Sequence, residues 1–241
     1  MTNKNIIPTG FQSLDEALGG GFHNGSLNVV AARPGFGKTT FVIQCAYGMS
    51  KNTERQIYIQ SLKCSSDQVK KIISDTGKDN RIIIDDTAPL TLSQIRKNLT
   101  DISDLGAVII DYFQLIQPNA DTGAQSFVRN NNEIVGELAL MAKELNVPVI
   151  CTSQLSSALE ERQDCRPILS DLDRHGAFTQ NSDVVIFLYR DAYYNRHNTR
   201  DNSAEVIISK NCYGDCKTLS FYRDYETGRF VESKDGGTGE D

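Results

Sequence analysis

Three absences narrow what this 241-residue chain can be. There is no basic excess: 25 lysines and arginines face 31 aspartates and glutamates, for a formal net charge of −6. That excludes a protein that coats nucleic acid over a broad basic face. It still allows a ring that holds one strand on a few loop residues, which needs only local positive charge. No apolar run approaches the roughly 20 residues needed to cross a bilayer. The opening MTNKNIIPTG also lacks the apolar stretch of a signal peptide. A soluble, cytoplasmic protein with no membrane partner is expected. Paired cysteines are absent as well. The six, at 45, 64, 151, 165, 212 and 216, include no CxxC, and Cys212 and Cys216 have no second pair at zinc-like spacing. Reduced thiols are the plain reading, and a metal centre is not expected. No internal repeat is present, and the length suits one sizeable α/β domain rather than two.

What is present is an alternation of short β-branched runs with longer helical patterns. The expected strands are Leu27–Ala32, Gln56–Ser61, Arg81–Ile84, Ala107–Ile110, Val147–Thr152 and Val184–Tyr189, with helices over 38–50, 65–75, 91–103 and 126–145. Runs such as AVII and PVIC are apolar throughout, as in a parallel sheet covered on both faces. Right-handed βαβ crossovers follow. After Tyr189 the pattern changes to two short strands, AEVIISK and KTLSFYR, around a turn at Tyr213–Gly214. They read as an antiparallel appendage. The expected fold is α/β, with a mainly parallel central sheet flanked by helices and antiparallel C-terminal strands. Residues 1–233 would form the domain and 234–241 a loose tail.

The most informative motif follows the strand LNVVA and opens a helix. Ala32-Arg33-Pro34-Gly35-Phe36-Gly37-Lys38-Thr39 fits GxxxxGK[ST], except that alanine replaces the first glycine. Glycines at 35 and 37 let the backbone wrap phosphates with its N–H groups inward. Lys38 would reach the β- and γ-phosphates of ATP, and the Thr39 hydroxyl would ligate Mg²⁺. The candidate cradle is Arg33, Pro34, Gly35, Phe36, Gly37, Lys38, Thr39 and Thr40. A second metal-holding group is expected at the end of a later apolar strand, where Asp111 closes AVIID. A strand ending in aspartate is also a common turn signal; the P-loop upstream gives this one its meaning.

Several segments together carry a family resemblance. PTGFQSLDEALGGGFHNGSLNVVAARPGFGKTT (8–40) looks like the start of a RecA-like domain of the DnaB, RadA or KaiC kind. VIIDYFQLI (108–116), AKELNVPVICTSQLSSALEERQDCRPILSDL (142–172) and DVVIFLYRD (183–191) are similar to DnaB-type replicative helicases in order and wording. The resemblance implies a RecA-like P-loop ATPase domain, a homo-hexameric ring with ATP at subunit interfaces, and single-stranded DNA in the channel. It implies replication proteins as partners. Gln154 matches the family glutamine that senses the γ-phosphate, although an exposed polar loop residue is an equal reading from composition alone. Lys210 matches the lysine that reaches the neighbour's nucleotide, against the alternative of an ordinary surface lysine. Asp173-Arg174-His175-Gly176 matches the loop that follows the DNA backbone, so Arg174, His175 and Gly176 are candidate DNA contacts. A solvated turn is the other reading, since the family usually has arginine where Asp173 stands.

Four departures from the family pattern bear on activity. The catalytic glutamate of Ser-Leu-Glu is replaced by Lys63, and a protonated lysine cannot serve as general base, a role worth about 10²–10⁴ in rate. Cys212 stands where an arginine finger is expected, a group worth roughly 10³–10⁵ in related enzymes. Asp67, Asp85 and Asp86 are the acids near enough in sequence to substitute, and Asp67 reads more simply as a first-turn helix charge. The stretch from Lys63 to Arg81 is short for the family. Because the resemblance to the ATPase segment starts near residue 8, the N-terminal domain and linker helix that the resemblance implies for bracing such rings are not expected in this chain. Three functional classes remain: an ATP-driven DNA helicase, a nucleotide-binding protein that has lost turnover, and a recombinase- or clock-like relative, which the SQL…SDL segment disfavours.

Overall fold

The computed structural model describes residues 5–74, 79–117, 127–172, 176–194, 201–224 and 226–233, with backbone alone for 127–130. The expected tail, 234–241, lies outside the described residues. In chain order the strands are β1 (Ile6–Ile7), β2 (Phe22–His23), β3 (Leu27–Ala32), β4 (Gln56–Ser61), β5 (Ile82–Asp85), β6 (Leu90–Thr91) and β7 (Leu105–Asp111). They continue with β8 (Ile116–Gln117), β9 (Val149–Gln154), β10 (Val184–Tyr189), β11 (Ser203–Asn211), β12 (Thr218–Arg223) and β13 (Phe230–Glu232). The helices are α1 (Gln12–Ala17), α2 (Lys38–Asn52), α3 (Ser66–Ser74), α4 (Leu92–Leu99), α5 (Phe127–Leu145), α6 (Leu169–Leu172), α7 (Ala177–Asn181) and α8 (Asp191–Tyr194).

Nine of the strands form one sheet in the order β13-β12-β11-β10-β3-β9-β7-β4-β5. From β10 to β5 every pairing is parallel, whereas β11, β12 and β13 add to the β10 edge antiparallel. The apolar strand runs have the expected cause. In β3, Val30 and Ala32 face the core layer shared with α2, while Leu27, Val29 and Ala31 face the layer shared with α5. Both faces are covered, so neither needs polar residues. On α5, buried Ile134, Val135, Leu138, Met141 and Ala142 recur at helical spacing and make one inward stripe.

Local chemistry sets several boundaries. The 91–103 pattern becomes Leu92–Leu99 behind a reciprocal capping box of Thr91 and Gln94. Strand β9 starts at Val149 rather than Val147; Pro148 just before it has no N–H to give a ladder. Alternation in β11 buries Ala204, Val206 and Ile208, as in a strand with one face on the core.

Strand β13 has no counterpart among the sequence expectations, being three residues long. It is held in place from a distance. Gln44 of α2 donates from Nε2 to the Phe230 carbonyl at 3.0 Å and accepts the Phe230 N–H at 2.8 Å. The Phe230 ring meets Phe41 edge-on with centroids 5.3 Å apart. Next door, Glu232 accepts from the Gln12 and Ser13 N–H groups at 3.0 and 2.6 Å, tying β13 to the first helix.

Candidate functional site

Four consecutive strands of the parallel sheet, β3, β9, β7 and β4, deliver the candidate residues at their carboxyl ends, where open α/β sheets bind ligands. The register brings them level: Ala32 pairs with Gln154, and Ser61 with Asp111. Beyond β3 the loop turns through Gly35 (φ 81°) and Gly37 (φ 95°), left-handed conformations that favour glycine. Gly37 is constrained twice, because an added Cβ would lie 2.9 Å from the Phe230 ring. Phe36 points away from solvent into the core, 4.8 Å from the Tyr193 ring and 6.0 Å from Tyr194. It anchors the loop while the loop backbone stays available.

A cavity of about 200 Å³ opens beside this loop, lined by Pro34, Gly35, Gly37, Lys38, Thr39, Lys63, Asp111, Tyr112, Gln154 and Arg223. The Lys38 ammonium donates to the Ala32 and Arg33 carbonyls at 3.0 and 3.2 Å. Burial lowers its pKa to about 8; Lys63 and Arg33 push the same way, and Asp111 opposes them. Asp111 is almost fully buried and doubly held, accepting from Thr39 Oγ1 at 2.7 Å and from Thr152 Oγ1 at 2.5 Å. A hydroxyl and a carboxylate side by side are the hard oxygen donors that suit Mg²⁺, so the group implied by the motif fits the residues present.

The remaining candidates fall in different places. Gln154 ends β9 with its side chain exposed at the cavity, and its backbone is clamped to the Gln114 amide at 3.2 Å on both sides. Arg33 turns instead to Glu160 at 2.8 Å and to the Leu155 carbonyl at 2.9 Å. Thr40 and Phe36 belong to the loop and helix but do not line the cavity. Lys210 lies outside it as well, donating to the Thr179 and Ser182 carbonyls at 2.7 and 2.5 Å near the end of α7. Cys212 is exposed, its N–H bound to the Asp183 carbonyl at 3.0 Å. Asp173, Arg174 and His175 lie outside the described residues, and Gly176 caps α7 with φ 74°. The substitute acids are occupied elsewhere. Asp67 is exposed beside Lys70, Asp85 accepts from Tyr58 and Asn98 at 2.9 Å, and Asp86 accepts the Ser66 N–H at 2.7 Å.

Arg223 has no counterpart among the sequence expectations. It comes from β12, donates to the Gly228 carbonyl at 3.0 Å, and lies 3.4 Å from the Gly35 carbonyl. No local motif marks it, because only the antiparallel strands bring residue 223 over residue 35.

Comparison with known proteins fits this geometry. The chain matches the family described as DnaB-like helicase C terminal domain over residues 6–78 and 66–232. It belongs to that family. Both segments include residues 66–78. Among curated relatives, it is 36% identical over 252 residues to the replicative DNA helicase DnaB of Geobacillus stearothermophilus, covering 91% of this chain and 55% of that one. It is equally 36% identical to the replicative DNA helicase DnaC of Bacillus subtilis, over 93% of this chain and 56% of the relative. The chain thus spans about half the length of the curated relatives it matches. Among solved structures, an ATPase domain superposes with a TM-score of 0.83 at 31% identity, covering 97% of this chain and 94% of that one. A DnaB-like replicative helicase, solved with its interactions with primase, gives 0.85 at 31% identity over 96% of this chain and 63% of that one. The RecA-like fold of the DnaB-like family is therefore this chain's fold. Among the described residues no helix is long and apolar enough to cross a membrane.

Proposed function

We propose that this domain binds ATP with Mg²⁺ and is the motor domain of a DnaB-type replicative DNA helicase, acting on single-stranded DNA within a cytoplasmic hexameric ring. The observation that carries this reading is the convergence of Lys38, Thr39, Asp111 and Gln154 on one cavity beside a glycine-turned loop. In this reading the N–H groups of the Arg33–Thr40 segment, other than at Pro34, cradle the phosphates at the start of α2. Lys38 leaves its two carbonyl partners for the β- and γ-phosphates. Thr39 and Asp111 would hold Mg²⁺, which would supply positive charge against the phosphates. Gln154 donates from its amide to the γ-phosphate, and Lys210 turns toward a neighbouring subunit's nucleotide. Arg174, His175 and Gly176 follow the DNA backbone. Replication proteins, primase among them, are the expected partners.

A second reading has its own observation. Lys63, not an acid, lines the cavity where the family glutamate is expected, and Cys212 is exposed where the finger is expected. These favour a domain that holds ATP with little turnover. The discriminating experiment is steady-state phosphate release from ATP with and without single-stranded DNA, beside Lys63→Glu. DNA-stimulated release by the unaltered protein supports the motor. Tight ATP binding without release sinks it and leaves a nucleotide-gated binding protein.

A further inference from the structure

Lys63 is placed rather than incidental. It lies on the turn leaving β4, and that turn is fastened at both ends: Ser61 Oγ donates to the Cys64 carbonyl at 2.7 Å, and the Leu62 N–H donates to the Asp111 carbonyl at 2.7 Å. Leu62 is buried beneath it. Residue 63 is thus held by one side-chain and one backbone hydrogen bond against the strand end that carries Asp111. Its ammonium sits 5.7 Å over the Tyr112 ring and makes no ion pair among the described residues.

The charge balance of the cavity follows. Lys38, Lys63 and Arg223 face one carboxylate, Asp111, a local balance of +2 in a chain of net −6. A glutamate at 63 would bring that balance to zero. The difference is two elementary charges, the same as one divalent cation. We propose that Lys63 supplies part of the charge neutralisation that a divalent cation otherwise provides at the terminal phosphate. The site then prefers a nucleoside triphosphate to a diphosphate and keeps much of its affinity without a divalent metal. This rests on the nucleotide reading of the cavity. Because Lys63 is exposed, each charge is worth roughly tenfold in affinity rather than the far larger effect of a dry interior, and the contribution weakens with salt.

The test is a fluorescence titration with a labelled ATP and a labelled ADP, each in Mg²⁺ and in EDTA, on the unaltered protein, Lys63→Ala and Lys63→Glu. Thermal melting checks that the variants fold. The expected result is that EDTA weakens ATP binding by less than about tenfold in the unaltered protein, with the ratio of Mg²⁺ to EDTA affinity rising at least roughly tenfold in Lys63→Glu. The preference for ATP over ADP should shrink in Lys63→Ala. An equal EDTA penalty in all three proteins, or an unchanged ATP preference in folded Lys63→Ala, overturns the proposal while leaving the ATP site standing. No binding of either nucleotide in Mg²⁺ overturns both.

Discussion

The two halves of the expected ATPase machinery are built very differently. The half contributed at the strand ends is internal: Asp111 is locked between Thr39 and Thr152, and the loop is pinned by Phe36 below and Phe230 beside Gly37. The half expected to act on a neighbour sits at the end of β11 and on the turn that follows, where Lys210 is tied to carbonyls of its own chain and Cys212 is exposed. That turn folds back on the N-terminal elements, with Tyr213 stacked 3.7 Å from the His23 ring and Asn211 donating to the Ala17 carbonyl at 2.8 Å. A site made from parallel strand ends inherits the rigidity of the sheet. A site on a hairpin tip depends on what it meets, and one departure from the family pattern falls in each half, Lys63 at the strand-end cavity and Cys212 on the turn. The groups expected for binding gather on one cavity, whereas the glutamate and arginine expected for turnover are replaced by Lys63 and Cys212.

That contrast can be broken most forcefully by restoring the missing groups. Lys63→Glu with Cys212→Arg should raise ATP turnover toward the roughly 10³–10⁵ associated with an arginine finger, and by more than the product of the single changes, because groups that act as one unit give little when only one is restored. Phosphate-release rates across the four proteins measure this, and a double variant no faster than either single one would place the defect elsewhere. The internal half can be loosened from behind. Phe230→Ala, which empties space beside Gly37 and Phe41, should cost about 3–5 kcal/mol in urea unfolding and weaken ATP binding through the loop. Full stability in that variant would show that β13 does not brace the site. Thr152→Val removes one donor to buried Asp111 and should cost about 1–3 kcal/mol, with nucleotide affinity in Mg²⁺ falling as the carboxylate loses its orientation.

The smallest expected effect is a pH dependence confined to the internal half. Lys38 titrates at about 8 in the folded protein against 10.5 ordinarily. Its ammonium is therefore present below pH 8 and is lost in the free protein as pH rises through that value. ATP affinity should decline above pH 8 by up to about tenfold per unit, since binding then takes up a proton. Over the same window, from 8 to 10.5, the unfolded chain carries more protons at this group than the folded one, so its contribution to folding stability rises with pH. A flat affinity profile between about pH 7 and 9 would remove Lys38 from the phosphate contact.

Much of this was legible before any coordinates. Strands β3, β4 and β10 begin and end as expected, because runs buried on both faces leave no polar register to mistake. The P-loop was legible because strand, glycines, lysine and helix are contiguous. Strand β13 and the lining role of Arg223 were not. Their reasons lie 186 and 188 residues away, in the Gln44 amide that binds Phe230 and in the Gly35 carbonyl under Arg223.

The amino-acid sequence by itself determined the alternating α/β architecture, the glycine-turned loop between strand and helix, and the acid at the end of a later apolar strand, since each is written in neighbouring residues whose periodicity or backbone freedom has one common use. Only the tertiary structure decided that Lys63 shares a cavity with Lys38 and Asp111, that Arg223 overhangs the loop, and that Lys210 donates to carbonyls near the end of α7. Those outcomes depend on strand order and register, which bring distant residues within ångströms of each other and which no local pattern encodes.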